Sequence, residues 1–224
     1  MIEAEAPDPG LPKHLRDRRA LHKIISLIFE PSVVAAPLVL VLVYTRRHMF
    51  SISLEMAYLG LALLSLIIPL IYTSTLYRLG VISSLFYSRR EDRIYFYPMM
   101  LVCILGVFLF FGFTSTSKAL LSASFAAMVV GFGLAVFTLW HKVSYHLAGL
   151  GGILSIALVL VGFKALVFLP LMVLVAYSRT RLGAHTWFEV TVGGVFGMVT
   201  SAVAFQWFYE TGFGYLRLVA ERIL

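Results

Sequence analysis

Four stretches of this chain, residues 56–77, 94–113, 119–140 and 190–209, contain no Asp, Glu, Lys or Arg. Each approaches or exceeds the roughly 20 apolar residues that a helix needs to cross a hydrocarbon layer about 30 Å thick. A helix on the surface of a soluble domain keeps a charged face, and these runs have none. They are continuously apolar rather than alternating, which excludes the short dyad-patterned strands of a membrane barrel. Composition agrees: 60% of the 224 residues are hydrophobic and 13% charged, whereas soluble domains run nearer a half and about a quarter. The single cysteine, Cys103, falls inside an apolar run, so a disulfide framework is excluded. The net charge of +7 is ordinary for basic membrane loops and does not point to nucleic acid, because no soluble segment is large enough to bind it. The expected fold is an all-α integral membrane protein, multi-pass, in the cell membrane, with a helical bundle of about six to seven transmembrane helices.

Residues 1–23 read as a polar, basic tail, disordered over 1–13 and lying at the lipid headgroups over 14–23. They hold no apolar signal-peptide core. The bundle occupies 24–209, and 210–224 form a polar, amphipathic tail. The spans are expected at 24–45, 54–77, 94–113, 119–140, 147–163, 165–178 and 187–209. Glu30-Pro31 makes the first either kinked or a short surface helix followed by a short span. The stretch 147–178 would measure roughly 50 Å as one helix, too long for a single crossing, so two short antiparallel helices are expected there. Small residues cluster at Ala148, Gly149, Gly151, Gly152 and Ser155, and again at Gly193, Gly194 and Gly197. That pattern lets membrane helices approach closely and predicts that the fifth and last spans are neighbours.

With seven spans, the loops after spans two, four and six share one membrane face. They carry Arg89, Arg90 and Arg93; Lys142, Ser144 and His146; and Arg179, Arg181, His185 and Glu189. His185 and Glu189 are four residues apart, on one helical face at the start of the last span. A carboxylate there can accept from one imidazole nitrogen and leave the other to attack. Arg179 offers a fork of donors suited to phosphate. Ser144 can cap a helix whose N-terminus binds an anion, and His146 can donate a proton. The plainer readings are an interfacial His–Glu pair, a helix cap and ordinary basic loops. His146, His185 and Glu189 would also suit a metal, but the surrounding cations repel a divalent ion and attract a phosphate.

At these residues the chain resembles the type 2 phosphatidic acid phosphatase superfamily, the lipid phosphate phosphatases. Its motif S-R-x5-H-x3-D is matched by Ser178-Arg179, His185 and Glu189, with Glu for Asp. P-S-G-H is matched in part by Val143-Ser144-Tyr145-His146, and K-x6-R-P poorly by Arg90, Tyr97 and Pro98, with Arg93 one helical turn before Tyr97. The resemblance covers residues 88–200 and implies a metal- and cofactor-independent phosphatase acting on a lipid phosphate or diphosphate within the membrane. It implies His185 as nucleophile, Glu189 as its orienting group and His146 as proton donor, with Arg179, Ser144, Arg90, Arg93 and Lys142 holding phosphate. A phosphotransferase using the same histidine, or a non-enzymatic transporter or scaffold for anionic lipids, fits the same cations. Lys13, Arg16, Arg18, Arg19 and Lys23 favour a cytoplasmic N-terminus, and parity then puts the site on that face; a surface first helix would reverse it.

Overall fold

The computed structural model describes residues 20–22, 24–26, 28–29, 31–83, 92–115, 117–212 and 214. Those residues are nearly all helical, with no strand among them. Five helical stretches are long and apolar enough to cross a membrane, which makes this a multi-pass membrane protein.

Residues 20–22, 24–26 and 28 are helical and precede α1 (Pro31–Thr45), which Pro31 opens where a missing N–H costs nothing. The chain then runs through α2 (Leu54–Arg78), α3 (Arg93–Thr114), α4 (Lys118–Trp140), α5 (Tyr145–Val161), α6 (Leu169–Arg181) and α7 (Trp187–Trp207). A π-helical turn at Leu63–Ile67 widens α2 just ahead of Pro69, which has no N–H to give and whose ring would crowd the preceding turn.

The 37 helical residues Tyr145–Arg181 are not one rod. Gly162, at φ +68°, ends α5 in a conformation open to glycine, and a 3-10 segment, Gly162–Phe168, leads into α6. Val175 of α6 packs in one cluster with Leu147 and Leu150 of α5 and Val190 of α7. The C-terminal half of α6 thus returns to the level where α5 begins, as expected for two short antiparallel helices.

The glycine prediction also holds. α5 packs against α7 more extensively than any other pair of helices packs. A Cβ on Gly151 would run into the Gly194 carbonyl, one on Gly197 into the Ala148 carbonyl, and one on Gly193 would stand 2.6 Å from the Ser144 carbonyl. At the other end of the bundle aromatic rings fill the space instead, with Phe125 and Phe208 stacked at 4.7 Å between centroids. There Ser51 N–H donates to the Thr114 carbonyl at 2.9 Å, so the α1–α2 and α3–α4 connections meet. The segments carrying His146 and His185 gather at the opposite end.

Candidate active site

The site is built on the turn between α6 and α7. Leu182 caps α6 and Gly183 follows at φ +67°. Gly183 N–H donates to the Thr180 carbonyl (3.0 Å) and Ala184 N–H to the Arg179 carbonyl (3.1 Å), the paired bonds of a Schellman motif. His185 N–H also donates to the Arg179 carbonyl, at 3.3 Å. The five-residue interval between Arg179 and His185 is therefore a fixed turn, and it ties the backbone of the cation to that of the histidine.

Thr186 then caps α7 through a capping box. Glu189 N–H donates to the Thr186 hydroxyl at 3.2 Å, and Thr186 N–H donates to Glu189 Oε2 at 3.3 Å. The same Oε2 lies 2.9 Å from His185 Nδ1. His185 is buried, at 7% exposure. With Nδ1–H donated to this carboxylate, the ring's remaining lone pair is on Nε2. Glu at this position reaches both the helix cap and the imidazole.

The second histidine segment is docked onto the first. Ser144, fully buried, caps α5 by accepting from Leu147 N–H at 3.5 Å, and its own N–H donates to the Glu189 carbonyl at 3.3 Å. Its amide is thus committed to α7. His146 follows, half-buried, with Arg179 and His185 both within electrostatic range of its ring. The structure therefore brings together His185, Glu189, His146, Ser144 and Arg179. Among the described residues no three His, Cys, Asp or Glu stand close enough to hold a metal, so His146, His185 and Glu189 do not close into a ligand set.

The start of α3 lies at this same end, because Phe96 packs edge-on against Tyr145 at 5.3 Å. Tyr97, in the motif's Arg position, is buried and its hydroxyl accepts from Thr138 Oγ1 at 2.9 Å, clamping α3 to α4. Arg93 opens α3; Arg90 lies outside the described residues. Asp92, buried before α3, accepts from the Ser83 hydroxyl at 2.6 Å and the Ser83 N–H at 3.2 Å, which closes the ends of that loop on each other. Lys142 is exposed and makes no hydrogen bond or ion pair among the described residues.

Beside His185 opens a cleft of about 480 Å³ lined by Tyr177, Thr180, Arg181, His185, Thr186 and Trp187. Arg181 sits over the Tyr177 ring, 5.0 Å from its centroid. Exposed Trp187 and Tyr177 with a nearby arginine are the side chains that settle at a lipid headgroup layer.

No protein-family model, curated protein or solved structure matches the chain.

Two contributions escaped the sequence reading. Thr186-x-x-Glu189 ahead of an apolar run is a capping-box signature, and it was there to be read. The helical residues before α1 also reach the site. His22 Nδ1 lies 3.3 Å from Ser178 Oγ, and its ring meets Tyr177 edge-on at 5.6 Å. No local pattern announces contacts made across more than a hundred residues of sequence.

Proposed function

We propose that this protein is a metal-independent phosphatase of the lipid phosphate phosphatase type, working on a lipid phosphate or diphosphate in the cell membrane. The observation that carries the reading is the His185–Glu189 pair at 2.9 Å, on a helix start whose preceding turn fixes Arg179 and whose neighbouring helix presents His146. His185 Nε2 attacks phosphorus, forming an N–P bond while the P–O bond to the lipid alcohol breaks. His146, once it has taken up a proton, gives it to the departing alkoxide. Water then attacks the phosphohistidine with His146 taking its proton, the N–P bond breaks, and phosphate leaves. Arg179 and the Ser144 hydroxyl hold the non-bridging oxygens, with Arg90, Arg93 and Lys142 as the further cations that the motif resemblance implies. Phosphate-monoester hydrolysis needs up to about 10²¹-fold acceleration, and fixed positive charge with an in-line nucleophile is what its transition state rewards. The cleft between Tyr177 and Trp187, at headgroup level, suits a substrate that keeps its tails in the bilayer.

A non-enzymatic anionic-lipid scaffold is the second reading, favoured by the capping box, which accounts for Glu189 without any chemistry. One assay separates the two. The full-length protein in detergent, with EDTA, is given a panel of lipid phosphates and phosphate release is measured. Release that persists in EDTA and disappears in His185→Ala supports the phosphatase. A folded protein that releases nothing supports the scaffold, and release abolished by EDTA returns the question to a metal. Transfer of phosphate to an added alcohol in the same assay would identify a phosphotransferase using His185.

A further inference from the structure

Two buried serine hydroxyls have no hydrogen-bond partner, Ser26 Oγ and Ser122 Oγ. A buried hydroxyl left unpaired is costly, so each asks for a reason. Ser122, completely buried, belongs to the second turn of α4 and lies at the end of the bundle away from the histidines. Ser26 is 6% exposed and stands at the histidine end. The segment bearing it is held there from several sides. His22 meets Ser178 and Tyr177, next to Arg179 in sequence. Phe29 packs on the cluster of Leu147, Val175 and Val190, the cores of α5, α6 and α7 beneath the site. The backbone of Ser26 lies close enough to His146 to act on its ring electrostatically, so this serine neighbours the proton donor of the proposed reaction.

We infer that His22 and Ser26, on the helical residues before α1, form a wall of the phosphate site, and that the buried, unpartnered hydroxyl of Ser26 is a further ligand contact, donating to a phosphate oxygen of the bound lipid head. The inference rests on the phosphatase reading and extends the site to a segment outside all three motifs. The segment that leads into the first helix is then part of the binding surface as well as a tether.

The test uses the full-length protein in detergent with EDTA, phosphatidate in mixed micelles as the probe, and a thermal midpoint beside each rate. Ser26→Ala removes a polar group that the unliganded fold leaves unsatisfied. Its midpoint is expected to be unchanged or higher, while kcat/KM for phosphate release falls about tenfold, as for loss of one hydrogen bond to a charged group. Ser26→Cys, closer in size, keeps the midpoint and shows the same loss. Ser122→Ala also keeps or raises the midpoint, but its kcat/KM stays within about twofold of the parent. A Ser26→Ala protein with parental kcat/KM overturns the assignment and leaves the phosphatase reading standing. A fall in both midpoint and rate in Ser26→Ala and Ser26→Cys marks a structural serine and overturns it too. If the parent protein releases no phosphate from phosphatidate or from the lipid panel, the phosphatase reading fails and this inference with it.

Discussion

Two helix seams in this bundle use glycine in different ways. Between α5 and α7, the space a Cβ would need at Gly151, Gly193 and Gly197 is occupied by backbone carbonyls. Between α2 and α3, a Cβ at Gly60 would meet the tip of the Phe110 ring, and one at Gly106 a methyl of Leu64. Side-chain tips can swing away; carbonyls cannot. The helices differ accordingly. α2 is the least buried of the long helices, with Met56, Leu59, Leu66, Leu70 and Ile71 turned outward, whereas α5 and α7 carry His146, His185 and Glu189 at their starts. Chemistry that needs several groups held to fractions of an ångström is better served by the seam where main chains touch.

The largest effect should come from the end of the first seam where the proposed reaction is placed. His185→Ala should lower phosphate release by about 10⁵-fold or more while leaving the thermal midpoint within a few degrees, which steady-state and single-turnover assays would show. Glu189→Gln keeps a side chain able to complete a capping box but removes the charge that holds the imidazole. A rate loss of about 10³- to 10⁴-fold with near-parental stability is expected, and a parental rate would sink the orienting role. Next comes the seam itself: Gly197→Ala should destabilise by more than about 3 kcal/mol or prevent folding, because the Ala148 main chain has nowhere to go. The matching change on the second seam, Gly60→Ala, should cost less than about 1 kcal/mol by thermal unfolding in the same detergent. Leu70→Ala, on the outward face of α2, should be the mildest, within about 0.5 kcal/mol. Equal penalties at Gly197 and Gly60 would dissolve the distinction between the seams.

Much of this arrangement could be read from the chain because the constraints are local. A bilayer demands unbroken apolar length, so the long helices announce themselves. Gly162 and the excess length of 147–178 betray the hairpin of α5 and α6. The four-residue spacing of His185 and Glu189 already places them on one face, and the structure puts them in contact. What stayed hidden depends on distance along the chain. His22 and Ser178 lie 156 residues apart, and neither residue type suggests the other. Tyr97 shows the complementary case. Its spacing invited a comparison with a phosphate-binding arginine, yet its hydroxyl serves Thr138 and the α3–α4 clamp.

Glu189 closes α7 and orients His185 with one and the same carboxylate oxygen. That double duty has a consequence for reading lineages. A descendant without the proposed reaction would still be held to this glutamate by the need to start its last helix properly. Across related sequences, then, persistence of the glutamate would report on folding, and only the joint persistence of His146, His185 and Arg179 would report on a surviving enzyme.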